Sequence, residues 1–231
     1  MLQLKNFLTN HPGPDFDAHM HIDWVQNIHE FSSELEDLDM FVFGCTCLPQ
    51  NFCPYSSRHI FSALGAHPWF LDDCDMDVFF DYAKSTQYIG EVGLDGCRPN
   101  MHLQIDAFKQ ICNVIRPGSI LSIHCVKTKG ACLGILEEAG ILSSCTCIFH
   151  SFADDANSLN IAIKSGCYFS VGERMLSAKR GREYIKQIPV HQLLLESDSP
   201  NKPYSLHAQD LLASLTNIQK QLHILKPDLC F

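Results

Sequence analysis

The chain has no apolar run long enough to cross a bilayer. Its opening residues, MLQLKNFLTNHPGP, lack the apolar core and cleavage pattern of a secretory leader. There is no low-complexity tract, no repeat of fixed period and no composition break that reads as a linker, so a single domain over residues 1–231 is expected. Positive charge is scarce: 17 Lys and Arg stand against 26 Asp and Glu, a formal net charge of −9. Such a balance excludes gripping nucleic acid by bulk electrostatics. It leaves open a phosphate-bearing substrate held through metal ions, which bring their own positive charge. The absence of a leader and of a span implies a cytoplasmic protein that does not enter membranes.

Cysteine is abundant, at 12 residues. Without a secretory signal these are expected to be reduced thiols, not a disulfide framework. Two C-T-C triplets, Cys45/Cys47 and Cys145/Cys147, have the spacing that puts two thiols on one strand face, where they could hold a soft metal. Both lie in apolar runs, where cysteine packs as a small hydrophobe, and packing is the expected role.

Eight short apolar runs recur along the chain, at 14–22, 40–47, 60–67, 87–94, 119–125, 145–150, 167–172 and 192–198. Helical patterns separate most of them, at 74–85, 102–115, 129–140, 154–165, 177–187 and 207–222. In the second of these, Leu103, Ile105, Phe108, Ile111, Cys112 and Ile115 recur close to helical spacing. Gly140 and Gly166 fall where helices should stop. The link from Leu48 to His59 has two prolines and no helical pattern, and is expected to be a loop. Strands alternating with helices imply a parallel sheet, and eight of them a closed (β/α)8 TIM-like barrel. An open doubly wound sheet is the alternative, weakened by the absence of a dinucleotide-type glycine fingerprint after the first run.

In such a barrel the site forms at the C-terminal ends of the strands. Six residues with metal-binding chemistry are expected there: His19 and His21 in FDAHMHID, Glu91 in IGEVGLD, His124 in SIHC, His150 in FHSF and Asp198 in LLLESDSP. Each alone has an ordinary structural explanation. Together, four histidines and two carboxylates set in apolar strands would be costly to bury unpaired, and metal ions remove that cost. Asp17 and Glu196 lie two residues from ligands and are expected to hydrogen-bond ligand histidines.

The segments FDAHMHID, GAHPWF, IGEVGLD, SIHC, FHSF and LLLESDSP, in this order from about Asp15 to Pro200, resemble the TatD-related metal-dependent hydrolases, described mostly as deoxyribonucleases. The resemblance implies a two-metal site. His19 and His21, with Glu91 and Asp198, would hold one ion, and His124 and His150 the other, with Glu91 bridging. Mixed imidazole and carboxylate ligands suit Zn2+ or Mn2+, and Mg2+ less obviously. Asp198 would also take a proton from the attacking water, making Glu91 and Asp198 the catalytic pair. His67, Arg98 and Lys127 are the candidate substrate contacts, with a packed histidine or plain surface charges as the alternatives.

The chain departs from the family pattern in several places. HCVKTK replaces an H-S-R-like pattern, and GLDGC lacks the aromatic residues often found after that aspartate. Ser197 stands where threonine is common, and the C-terminal region is short, leaving barrel surface for a partner subunit to cover. The expected activity is DNA or other phosphodiester hydrolysis. Two readings compete with it: a small-molecule hydrolase of the wider amidohydrolase type, disfavoured by Glu91 where those enzymes often carry a modified lysine, and a degenerate protein that binds without catalysis, disfavoured by the intact ligand set.

Overall fold

The computed structural model describes residue 4, residues 8–10 and residues 13–229. Among them are eight strands, every one matching an apolar run: β1 Phe16–His21, β2 Phe41–Cys45, β3 Ile60–Ala63, β4 Tyr88–Asp95, β5 Ile120–Val126, β6 Thr146–Ala153, β7 Tyr168–Val171 and β8 Leu193–Leu195. All ladders are parallel, in the order β1-β2-β3 and β4-β5-β6-β7-β8. The protein is a TIM-type barrel, and its two seams lie beside the candidate ligands. At the β3–β4 seam, the Gly90 amide donates to the Leu64 carbonyl (2.8 Å) and the Ala66 amide to the Glu91 carbonyl (3.0 Å). At the β8–β1 seam, the Asp198 amide donates to the His19 carbonyl (3.1 Å) and the His21 amide to the Ser199 carbonyl (2.9 Å).

The helices are α1 Ile28–Asp37, α2 Met76–Ala83, α3 Met101–Val114, α4 Ala131–Glu138, α5 Ile141–Ser144, α6 Ala156–Lys164, α7 Glu173–Ser177, α8 Lys179–Gln187 and α9 Ala208–Leu225. Two differences from the sequence reading stand out. The helix α1 has no counterpart there, although Ile28, Phe31 and Leu35 of IHEFSSELED recur at helical spacing and pack on the core. The expected helix 177–187 is α8, Lys179–Gln187, and an unanticipated short helix, α7, ends just before it, the two separated by Ala178, whose backbone is extended (φ −80°, ψ 131°). The Leu48–His59 link is a loop with one short 3-10 turn at Pro49–Asn51. The last helix buries Ala208, Leu211, Leu215, Ile218 and Leu222, a stripe of helical period. It is docked to the start of the barrel: Glu34 accepts from the Ala208 amide (2.8 Å), and Asn27 exchanges two hydrogen bonds with Leu206.

Two apolar layers result. The larger lies between strands and helices; the smaller joins residues of six strands, among them Phe16, Phe43, Phe61, Ile120, Ile148 and Leu194, at the heart of the barrel. Strand alternation carries this inner layer up to the site. Ile120, Ser122 and His124 share one face of β5; Ile148 and His150 share one face of β6. On β1 the alternation breaks. Phe16 and Ala18 belong to the inner layer, yet odd-numbered His19 and His21 also enter the site. A register shift between Asp17 and Met20 accounts for this, and β4 carries a similar shift between Ile89 and Val92, around Glu91. Bulges of this kind re-aim side chains.

The cysteines follow the packing expectation. None of the eleven described cysteines is in a disulfide, and Cys45, Cys47 and Cys147 are buried, with Cys145 half-buried. No described group of candidate metal ligands includes a thiol. Cys230 lies outside the described residues.

Gly65 sets how closely the β3–β4 seam can approach the site, because a Cβ there would meet the Thr46 carbonyl oxygen at 1.8 Å and the Glu91 amide at 2.5 Å. Gly65→Ala is therefore expected to destabilise the protein by about 2 kcal/mol or more. Gly134, inside α4 with open space around it, provides the contrast: Gly134→Ala should stabilise by up to about 1 kcal/mol. Paired thermal melts check both, and equal melting temperatures would contradict the seam argument.

Candidate metal centre

Glu91 sits in the middle of β4 and is fully buried. Its two carboxylate oxygens face different partners. Oε2 lies 3.1 Å from His21 Nε2 and 3.3 Å from His19 Nε2. Oε1 lies 2.5 Å from His124 Nδ1, 2.7 Å from His150 Nε2 and 3.2 Å from His67 Nε2. Asp198 approaches the first group, with Oδ1 3.7 Å from His19 Nε2 and 3.6 Å from His21 Nε2. All six expected ligand residues thus meet at one point, at the C-terminal mouth of the barrel, together with a seventh residue, His67.

The donor atoms have the character of cation ligands. His19 Nε2 is buried and makes no hydrogen bond. Its other nitrogen is 2.7 Å from Ser122 Oγ, which fixes the ring with Nε2 toward the carboxylates. Burial pushes the His19 imidazole down to about 4, so it is neutral with a lone pair free, the form that binds metals. His124 Nδ1 and His150 Nε2 are 3.0 Å apart and converge on the same carboxylate oxygen. Burial opposes the charge of Glu91, yet the imidazoles of His150, His67 and His19 hold its carboxyl well below the usual range. Three buried or partly buried groups of donors able to hold an ion occur here: His19, His21 and Glu91; His19, His150 and Asp198; His67, Glu91 and His124. Imidazole and carboxylate donors in this number fit divalent cations.

The supporting hydrogen bonds reveal what the sequence reading missed. Asp95, at the end of β4, accepts from His124 Nε2 (3.0 Å) and so turns Nδ1 toward Glu91. Asp95 is itself held by Trp69 Nε1 (2.6 Å) and the Cys97 amide (2.8 Å). Its place four residues after Glu91 on one strand was the available signal. His67 lies past the end of β3, in a loop. Its Nδ1 accepts from the Trp69 amide (3.0 Å), which puts the ring proton on Nε2. His67 therefore points a donor, not a lone pair, at Glu91 Oε1, and acts as a hydrogen-bond donor beside the centre. Asp17 does not bond a ligand imidazole: its Oδ1 accepts from the main-chain amides of His19 (3.0 Å) and Ser197 (3.1 Å), pinning the β8–β1 seam. Glu196 accepts from Ser170 and comes only within 3.9 Å of His150 Nδ1.

A cavity of about 210 Å³ opens above the cluster, between Trp24, Trp69, Phe70, Arg174 and Asn201. Arg174 and Asn201 were not anticipated, because nothing in their sequence neighbourhood marks them. Arg98 and Lys127 lie outside this cavity. Arg98 covers the Trp69 ring at 3.9 Å, behind Asp95, and Lys127 lines a neighbouring cavity.

The family model for TatD related DNase matches residues 16–223, nearly the whole barrel. The chain belongs to this family. It is a metal-dependent hydrolase, and the metal centre at the barrel mouth agrees with that class. An uncharacterized metal-dependent hydrolase of Buchnera aphidicola is 25% identical over 207 residues, covering 80% of this chain and 77% of that one. An uncharacterized metal-dependent hydrolase TatD of Mycobacterium tuberculosis is 27% identical over 188 residues, covering 69% and 70%. Among solved structures, a TatD family hydrolase from Entamoeba histolytica superposes with a TM-score of 0.53 at 17% identity, a likeness of fold. The match covers 80% of this TatD-family chain but 60% of the amoebal one.

Asp95→Asn tests the positioning of His124. The amide can present its N–H to His124 Nε2 and so favour the wrong ring orientation, and metal affinity should fall about 10–100-fold while the protein stays folded. Chelator competition beside a thermal melt measures this; unchanged affinity would remove Asp95 from the support of the centre.

Proposed function

We propose that the protein is a two-metal phosphodiesterase that acts on DNA. One observation carries the reading: the two oxygens of buried Glu91 face different pairs of histidines, Oε2 toward His19 and His21 and Oε1 toward His124 and His150. In the half toward β1, His19, His21 and Asp198 join Glu91; in the other, His124 and His150 join it. Zn2+ or Mn2+ suits this imidazole-rich set better than Mg2+. A pair of such ions supplies an activated water at neutral pH and shields the charge of a phosphodiester.

The remaining work falls to the chain itself. Asp198 is the one carboxylate of the cluster with a substantially open side chain, 29% exposed against 1% for Glu91, so it can accept the proton of an attacking water from the cavity. His67 donates its Nε2 proton to Glu91 Oε1 and helps hold that carboxylate in place. Arg174, on the cavity rim, offers a guanidinium for a phosphate oxygen. The ring walls of Trp24, Trp69 and Phe70 restrict water and favour a planar group beside the phosphate. The family name, TatD related DNase, supports DNA as the polymer.

The experiment is metal analysis followed by turnover of labelled single- and double-stranded DNA and of a small phosphodiester. About two divalent ions per chain and metal-dependent cleavage are expected; a folded, metal-loaded protein that cleaves none of these substrates contradicts the reading. Glu91→Gln should lose both activity and metal. Asp198→Asn should retain more metal while turnover drops by roughly 10²–10⁴-fold, the size of a lost general base. Equal metal loss in the two variants would keep the centre and remove the base role of Asp198.

A further inference from the structure

A second cavity, of about 190 Å³, adjoins the metal centre. Arg174 lines both, so its side chain stands between them. Three cations border the second cavity, each from a different element: Lys127 from the loop after β5, Arg174 from α7 and Arg180 from α8. No carboxylate lines it. Among the described residues none of the three cations is in an ion pair. In a chain with nine more acids than bases, three uncompensated cations around one hollow are unexpected as ordinary surface.

The hollow is also shaped and braced. Phe152, Met175 and Tyr184 form an apolar floor and are buried. Arg180 Nε donates to the Tyr184 hydroxyl (2.6 Å), which donates to the Asp154 carbonyl (2.9 Å). That leaves the terminal guanidinium nitrogens of Arg180 without a protein acceptor among the described residues, available to an anion. Arg182 Nη1 donates to the carbonyls of Leu176 and Ser177 (2.8 Å each) and closes the end of α7. Gly181 brings α8 against α7, since a Cβ there would meet the Met175 carbonyl oxygen at 2.1 Å. The two-helix break at Ala178 is what wraps Arg174 and Arg180 around one space.

We propose that this cavity is an anion subsite that holds the phosphate next to the scissile one in an oligonucleotide strand. The proposal rests on the phosphodiesterase reading and deepens it: the substrate class becomes a polyanionic chain, not an isolated diester. Arg174 bridges the two positions, while Lys127 and Arg180 serve the second phosphate alone. A small diester, with one phosphate, engages only the metal centre.

The test uses the full chain loaded with Mn2+, as wild type, Lys127→Gln, Arg180→Gln and the double variant, each checked by thermal melt. The first measurement is binding of a fluorescent pentathymidylate by anisotropy across a salt series. The double variant should bind about tenfold more weakly or worse, with a salt slope smaller by roughly 0.7, as expected for one lost phosphate contact on a single strand. The second is the ratio of kcat/KM for the oligonucleotide to that for a small diester, which should fall about tenfold through KM. Unchanged affinity, slope and ratio overturn the subsite, as does failure of the folded wild type to bind the oligonucleotide. The two readings separate cleanly. Loss of binding in the variants without any hydrolysis by wild type supports the subsite and removes the phosphodiesterase assignment. Hydrolysis of both substrates with unaltered variants does the reverse.

Discussion

A buried carboxylate ringed by imidazoles organises this molecule. Glu91 has no solvent, and an unpaired charge there would be expensive. Five histidines from β1, the β3–β4 loop, β5 and β6 compensate it. Their nitrogens crowd together so closely that divalent cations are the natural third component. The hydrogen bonds of the barrel seams are built around the same point. The β3–β4 seam runs through Glu91 itself, and the β8–β1 seam through His19, His21 and Asp198. The same seam hydrogen bonds that close the barrel thus hold the candidate ligands in place.

The chain around the centre adapts to that requirement. Register shifts on β1 and β4 turn His19, His21 and Glu91 inward, where strict alternation from Phe16 and Ala18 would send both histidines out. Asp198 has a left-handed backbone (φ 54°), a conformation that Asp tolerates better than most residues. Support then spreads outward through Asp95 and Trp69, so that Arg98, which looks like a ligand contact in the sequence, instead covers an indole that holds the carboxylate behind His124. The function of a TatD-family hydrolase rests on this nested arrangement as much as on the ligands.

Much of this was legible before any coordinates. Eight apolar runs became eight strands, because a parallel strand buried on both faces is nearly continuous in apolar residues. The six candidate ligand residues were visible because histidines and acids in such runs have few other reasons to be there. Helix α1 was missed because its apolar stripe is only three residues in ten, Ile28, Phe31 and Leu35, set among polar neighbours. The short helix α7 was hidden as well. Nothing in SAKRG announces an extended residue at Ala178, and the break follows from packing Gly181 against the Met175 carbonyl. Asp95 stood in a quoted motif yet was read only as a landmark, since its partner, His124, lies 29 residues away.

The sequence by itself determined the fold class, the chemistry of the centre and the residues able to hold cations, because strand burial and ligand chemistry are local properties of residue type. Tertiary structure alone decided which atom of each residue faces which. It turned His67 from a candidate phosphate contact into an Nε2 donor aimed at Glu91, through one hydrogen bond from the Trp69 amide. It moved Lys127 out of the metal cavity and set it opposite Arg174 and Arg180. Orientation of this kind depends on register shifts and loop contacts between distant segments, and no local pattern in a chain encodes the direction of a ring nitrogen.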